Sequence, residues 1–141
     1  MSRTRQSGFT LVEILIVVII LGILAAIVIP QFSDASTQAK LNSMTSDLQT
    51  VRSQIQLYKV QHNDVVPTAA TFVAQMTTAT KADGSAGTAG VDFGPYLGVI
   101  PNNPFTNTNT VGGSNTAGSS AWYWDGVNVF EANDTAAHQA Y

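Results

Sequence analysis

An uninterrupted apolar stretch lies near the start of the sequence. Between Phe9 and Ile29 the only ionisable side chain is Glu13. A helix rises about 1.5 Å per residue, so a helix over this stretch is about 30 Å long, which is the thickness of the hydrocarbon core of a bilayer. The pattern therefore predicts a membrane-spanning helix followed by a domain in water.

A secretory signal peptide is the alternative interpretation of this stretch. Such a peptide has an apolar core of about 7 to 15 residues, followed by a polar cleavage region with small residues. Here the apolar run is longer, and Pro30-Gln31-Phe32 leads into a second helical pattern. We therefore expect the apolar helix to be kept. The basic residues Arg3 and Arg5 are expected to hold the preceding segment in the cytoplasm.

After Pro30 the pattern becomes amphipathic. Apolar side chains recur at alternating spacings of three and four residues, at Leu41, Met44, Leu48, Val51, Ile55 and Tyr58. This spacing places them on one helical face, which predicts an amphipathic helix over residues 31–63 that ends near His62 to Asp64. The stripe covers fewer than three heptads, so packing against a sheet is favoured over a coiled-coil seam.

The rest of the chain predicts one short helix and a small sheet joined by polar loops. The short helix is expected over Thr68–Thr80, with Thr68 as its N-cap. Residues 82–90 and 106–120 are rich in Gly, Ser, Thr, Asn and Ala, and we expect exposed loops there. The predicted fold class is α+β: a long N-terminal helix, half membrane-spanning and half amphipathic, packed on a small antiparallel sheet.

The clearest strand signal surrounds Asp125-Gly126, a favoured two-residue hairpin turn between two β-rich runs. This turn predicts Trp124 opposite Val127 and Trp122 opposite Val129, with all four side chains on the face that covers the long helix. A sugar-binding or adhesion platform of aromatic side chains is the alternative. The valines on the same face favour a core role for both tryptophans, which leaves Tyr123 as the aromatic surface contact.

Charge and chemistry narrow the classes of function. The chain has 9 acidic and 6 basic residues and a net charge of −3, and its basic residues are scattered, so nucleic-acid binding is not predicted. It contains no cysteine, which excludes disulfides and thiolate chemistry. His62 and His138 are isolated and are expected to be solvated. Because no catalytic or metal-ligand pattern emerges, we expect a protein that is not an enzyme.

Glu13 is the informative exception in the apolar stretch. A carboxylate within lipid costs about 2 to 3 kcal/mol, so it needs a partner or a purpose. The positive end of the helix dipole and the free N–H groups of the first turn supply about 0.3 to 1 kcal/mol locally. The run Gly8-Phe9-Thr10-Leu11-Val12-Glu13, with the apolar residues up to Pro30, resembles the processing and assembly signal of type IV prepilins and of the pseudopilins of type II secretion systems.

The resemblance implies a defined maturation. A prepilin peptidase cuts between Gly8 and Phe9, the new amine of Phe9 is methylated, and the apolar helix is retained. The Glu13 carboxylate then pairs with the amine of a neighbouring subunit, while the helix is broken between Gly22 and Pro30 as it unwinds on assembly. The implied organisation is a cleaved cytoplasmic leader (1–8), a transmembrane and filament-core helix (9–30) and a periplasmic pilin-like head (31–141).

The function implied by the resemblance is that of a filament subunit anchored first in the bacterial inner membrane. Its implied partners are copies of itself, minor pseudopilins, the prepilin peptidase and an inner-membrane assembly platform with its ATPase. A looser resemblance, from Phe93 to Phe105 and over Trp122-Tyr123-Trp124-Asp125-Gly126, favours the major pseudopilin of type II secretion. A surface type IV pilus subunit is the alternative, weakened by the missing cysteines. A membrane-anchored periplasmic binding domain that never polymerises is the third hypothesis.

The same resemblance raises calcium as a cofactor, because major pseudopilins often bind it through an acidic loop near the C-terminus. This chain offers only Asp125, Glu131, Asn133 and Asp134 in that region. Calcium takes six to eight oxygen ligands, so no metal site is assigned from the sequence.

Overall fold

The computed structural model describes residues 8–87, 90 and 92–141. They form two compact units, a first unit up to Ala39 and a second unit from Lys40 to Tyr141. The elements in chain order are α1 (Leu11–Gln61), α2 (Phe72–Thr77), β1 (Val111–Gly112), β2 (Trp122–Trp124), β3 (Phe130–Ala132) and a 3-10 helix (His138–Ala140). The α+β class with a long N-terminal helix is thereby confirmed. Arg3, Arg5 and the rest of the predicted leader up to residue 7 lie outside the described residues.

In the first unit, α1 exposes its residues all round. Every residue from 8 to 40 is exposed, leaving Pro30 aside. By length and composition α1 can cross a bilayer, with its apolar stretch near the N-terminus. The helix runs without interruption through Gly22 and Pro30, so the predicted helix break is not seen in the single chain. Unwinding on assembly stays a prediction.

In the second unit, the predicted stripe of α1 is buried. Met44, Leu48 and Val51 have no exposed surface, and the burial continues through Ile55 and Tyr58. These side chains form one core with residues of α2 and of the sheet, namely Phe72, Met76, Trp122, Trp124 and Phe130. Packing of the stripe on the sheet is confirmed as its role within this unit.

The sequence predicted the end of α1 correctly but not the bounds of α2. α1 ends at Gln61 and passes into a turn in which Asn63 and Asp64 have positive φ angles, as expected. The second helix is shorter than predicted, because α2 covers only Phe72–Thr77. Thr68 is not its N-cap: the Gln75 side-chain oxygen accepts hydrogen bonds from the Thr68 amide (2.9 Å) and the Thr71 hydroxyl (2.8 Å) and holds residues 68–71 in a turn.

The sheet is mixed, whereas the sequence predicted an antiparallel one. Its order is β1-β2-β3, with β1 parallel to β2 and β2 antiparallel to β3. β1 lies within the polar stretch 106–120, where only loops were expected. It is two residues long, too short for its side chains to produce a readable alternation.

The predicted two-residue turn is also wrong. Trp122 pairs with Ala132 and Trp124 with Phe130, so residues 125–129 form the connection and β3 begins later than expected. The Asp125 carboxylate causes this, since its Oδ1 accepts hydrogen bonds from the amides of residues 127, 128 and 129 at 2.7, 2.8 and 2.9 Å. Val127 is consequently 63% exposed.

The prediction that both tryptophans belong to the core is confirmed despite the wrong register. Trp122 and Trp124 are 0% and 1% exposed. Their indole N–H groups donate to the carbonyls of Pro101 and Pro67, each at 2.8 Å. The buried rings cannot serve as a stacking platform, whereas Tyr123 between them is half-buried.

Candidate processing and assembly site

The residues of the predicted processing signal lie at the start of α1 in an open position. Gly8, Phe9 and Thr10 precede the helix and are exposed, and the Phe9 side chain is 82% exposed. Apart from the chain neighbours of Gly8, no described residue has an atom within 4 Å of the position that a Cβ on Gly8 would take. The described residues on both sides of the Gly8–Phe9 bond are therefore exposed.

Glu13 and Thr10 form a reciprocal cap on this end of the helix. The Glu13 Oε2 atom accepts hydrogen bonds from the Thr10 backbone amide and from the Thr10 hydroxyl, both at 2.9 Å. In return the Thr10 hydroxyl oxygen accepts from the Glu13 amide at 3.3 Å. This arrangement is a capping box, in which residues three apart satisfy two amides that the helix leaves unpaired.

Thr10 is a functional residue that the motif did not reveal, although the sequence carries its signal. A threonine followed three residues later by a glutamate, ahead of an apolar run, marks a helix N-terminus. The capping box supports the local interpretation of Glu13, in which the helix dipole and the free N–H groups of the first turn stabilise the carboxylate. It fixes the carboxylate in the first turn, where the helix dipole also favours a negative charge.

The apolar residues behind this cap have no cover within the described chain. From Val12 to Ile29 the large aliphatic side chains are between 41% and 68% exposed, on every side of α1. A helix that is apolar all round is stable when lipid or other protein surrounds it. The first unit therefore needs a membrane or neighbouring helices.

Both histidines are engaged by other groups of the second unit. His62 was expected to be solvated, but it is 1% exposed and stacks on the Tyr58 ring at 3.8 Å between centroids. Its Nδ1 lies 2.8 Å from the Tyr58 carbonyl oxygen and its Nε2 lies 3.0 Å from the Thr80 hydroxyl. Because a carbonyl only accepts, Nδ1 carries the proton and His62 is a satisfied core residue. His138, also expected to be solvated, is half-buried.

The acidic residues near the C-terminus do not form a calcium site. Asp134 uses Oδ1 to accept from the Asn103 side-chain amide (3.0 Å) and Oδ2 to contact His138 Nδ1 (2.6 Å). Asp125 is engaged by the amides of its own loop. Within residues 8–87, 90 and 92–141, no group of three or more His, Cys, Asp or Glu side chains comes together. The donor set among these described residues therefore does not fit the calcium ion that the resemblance implies.

Comparison with known proteins agrees with the geometry of this site. Residues 3–29 match the family model of the prokaryotic N-terminal methylation motif. The exposed apolar helix and its processing motif thus define a protein of the prepilin-like class. No solved structure matches the chain.

Among curated relatives, the type II secretion system core protein G of Klebsiella pneumoniae is 32% identical over 101 residues, 72% of this chain and 70% of that protein. The chain belongs to this family, that of the major pseudopilins. The protein of the same name from Pseudomonas aeruginosa is 45% identical over 62 residues, and this match spans 44% of its length. A fimbrial protein of Pseudomonas aeruginosa is 34% identical over 84 residues, 57% of this chain and 54% of that protein.

Proposed function

We propose that this chain is a structural subunit of the helical pseudopilus of a type II secretion system. The observation that carries the proposal is the first unit itself: an apolar helix exposed on all sides, with one carboxylate fixed in its first turn. Membership of the core protein G family supports the same role. The activity is assembly, with no catalytic step on this chain.

The proposed maturation follows the motif residue by residue. Prepilin peptidase removes residues 1–8 by cutting between Gly8 and Phe9, and the Phe9 amine is methylated. Residues 9–30 span the inner membrane with the N-terminus in the cytoplasm, and residues 31–141 form the periplasmic head. The exposed Gly8 backbone and the length of the apolar helix support this order.

On assembly, helices of neighbouring subunits replace the lipid around the apolar part of α1. An incoming Phe9 amine carries a positive charge, and the Glu13 carboxylate of the adjacent subunit neutralises it, so two charges that are costly to bury are paired. Among the described residues, both hydrogen bonds to this carboxylate end on Oε2. Oε1 can therefore receive the amine while the capping box with Thr10 is kept.

The proposed partners are those that such an assembly needs. Copies of the chain form the filament with minor pseudopilins, and an inner-membrane platform with its ATPase supplies the work. Unwinding between Gly22 and Pro30 lets the helix lengthen as it leaves the bilayer, because Pro30 lacks the N–H that would bond to the Ala26 carbonyl.

A surface type IV pilus subunit is the second candidate. The similarity to a fimbrial protein over 84 residues favours it. Both candidates use the same processing and assembly site. They differ in the location of the filament, which stays in the periplasm for a pseudopilus and reaches the cell surface for a pilus. A monomeric membrane-anchored binding domain is the third candidate, and it requires no role for Glu13 in assembly.

The experiment measures location and N-terminus together. Cells that express the chain at native level are sheared, and the chain is sought in the released surface fraction and in the envelope, with its N-terminus identified by mass spectrometry. We expect methylated Phe9 in the envelope fraction. Methylated Phe9 in the sheared fraction would favour the surface pilus, and an uncut N-terminus in both would contradict the proposed maturation.

Deletion of the gene supplies a second readout. We expect proteins that are normally secreted to accumulate in the periplasm, and the wild-type chain to restore their export. Unimpaired export in the deletion strain, with methylated Phe9 still found in the wild type, would reject the secretion role and leave the filament role intact.

A further inference from the structure

Asn133, the residue that follows β3, is completely buried and lies at the centre of a polar cluster. Its side-chain nitrogen Nδ2 is 3.1 Å from the Ser114 carbonyl oxygen, 3.0 Å from Ser119 Oγ and 2.9 Å from Ser120 Oγ. Three oxygens from one polar loop therefore converge on a single nitrogen.

The directions of the hydroxyl protons show which atoms accept. Ser119 Oγ donates to the Ser114 carbonyl at 3.3 Å, and Ser120 Oγ donates to the Trp122 carbonyl at 2.7 Å. With their own protons committed, both hydroxyl oxygens present lone pairs to Asn133. The carbonyl of Ser114 can only accept. The two N–H hydrogens of the amide are thus shared among three acceptors.

The other polar groups of Asn133 are also used. Its side-chain Oδ1 accepts from Gln139 Nε2 at 2.7 Å. Its backbone carbonyl accepts from the Gly118 amide at 2.6 Å, and its backbone amide donates to the Ala121 carbonyl at 3.0 Å. A single residue therefore ties the loop 114–120 and the terminal 3-10 helix to the end of β3.

The cluster has the oxygens of a cation site but a donor at its centre. Calcium binds oxygens at about 2.3 to 2.6 Å, whereas distances of about 2.9 to 3.1 Å are those of N–H···O hydrogen bonds. A cation would have to displace the amide nitrogen. The neighbouring Asp134 carboxylate cannot supply charge freely, because His138 and Asn103 engage both of its oxygens.

We propose that the Asn133 side-chain amide holds this loop in place of a metal ion, so that the second unit folds and keeps its stability without calcium. The inference concerns this chain's own C-terminal region and does not depend on which filament the protein forms. The loop 114–120 is then ordered by hydrogen bonds centred on Asn133, with no bound cation.

The first test uses the wild-type full-length chain in detergent micelles. Thermal unfolding is followed by the fluorescence of the buried tryptophans, once with millimolar calcium chloride and once with EDTA. We expect the same midpoint in both. A ligand present at about 100 times its Kd would raise the midpoint of a domain of this size by roughly 10 °C, and a calcium-dependent rise of several degrees would overturn the proposal.

The second test changes the centre of the cluster. Asn133→Asp removes both N–H donors and places a carboxylate against the three oxygens, so we expect a lower midpoint in EDTA and partial recovery in calcium. Asn133→Leu, which can neither donate nor ligate, is the matched control and is expected to be destabilised equally in both solutions. If the Asn133→Asp variant is as stable as the wild type in EDTA, the role of the amide is contradicted. The wild-type comparison stands even where a variant fails to fold.

Discussion

The two units of the molecule differ in the exposure of their apolar side chains. Ile16 and Ile20 in the first unit are 51% and 50% exposed, whereas Leu48 and Val51 in the second unit are fully buried, although all four belong to α1. The second unit supplies its own core through α2 and the sheet. The apolar side chains of the first unit can be buried only by lipid or by other copies of the chain. The apolar side chains of the second unit therefore serve folding, whereas those of the first unit serve assembly.

The largest expected effect is on the core of the second unit. Trp124→Ala removes a ring that is 1% exposed and leaves the Pro67 carbonyl without its indole donor. We expect the free energy of unfolding to fall by about 3 to 5 kcal/mol, measured by denaturation of the full-length chain. Val127→Ala is the control, because this side chain is 63% exposed. A small effect of Trp124→Ala would reject the core assigned here.

The corresponding change in the first unit acts on the membrane and not on folding. Ile19→Lys places a charge near the middle of the apolar stretch, which costs about 2.5 to 3.5 kcal/mol on insertion scales. We expect loss of membrane-integrated chain in flotation of cell envelopes, with an unchanged unfolding midpoint for the second unit. Gln49→Lys, at an exposed position of the same helix, is the control and should leave integration unchanged.

These two regions also differ in what the sequence could predict. The buried stripe of α1 repeats a local spacing many times, so its face and its end were predicted correctly. The hairpin register depends on one side chain, Asp125, whose carboxylate accepts hydrogen bonds from three backbone amides. These bonds stabilise a five-residue connection in place of the predicted two-residue turn. The parallel strand β1 is defined by its pairing with β2 across the polar loop and not by a side-chain pattern of its own two residues.

At the start of α1 the sequence identified Gly8, Phe9 and Glu13 from the motif but not Thr10. The motif is contiguous, so it could be read without any structure. The hydrogen bonds between Thr10 and Glu13 could have been predicted from their three-residue spacing. The interpretation of Glu13 was based instead on the cost of a carboxylate in lipid. His62 was misjudged for a different reason: besides Tyr58 on the same helix, it contacts an aromatic ring remote in sequence, Phe93, which no local pattern reveals.

A smaller effect is expected where a surface loop depends on one carboxylate. Partial burial raises the pKa of Asp125, but the amides of residues 129, 127 and 128 outweigh it, and the pKa is lowered from its ordinary value of 3.8. Asp125→Ala should reduce the free energy of unfolding by about 1 kcal/mol near neutral pH, after allowance for solvent screening.

The pH dependence of this effect has a definite sign. A carboxyl whose pKa is lower in the folded state stabilises the fold above its unfolded pKa and loses that contribution as pH falls through the folded value. The difference between wild type and Asp125→Ala should therefore shrink below about pH 4, as measured by denaturation at several pH values. Asp125→Asn, which keeps an acceptor without the charge, should fall between the two. A difference that grows in acid would contradict the assignment.

The most direct test of the assembly account separates the two roles of Glu13. Glu13→Gln keeps an oxygen that can accept from Thr10 and so preserves the capping box, but it removes the charge. Thr10→Ala keeps the charge and removes the hydroxyl of the cap. Crosslinking of the full-length chain in cells that contain the secretion machinery reports filament assembly for each variant. The account predicts processed monomers in the membrane for Glu13→Gln and filaments for Thr10→Ala. Filaments from Glu13→Gln, together with none from Thr10→Ala, would show that Glu13 serves only as a helix cap.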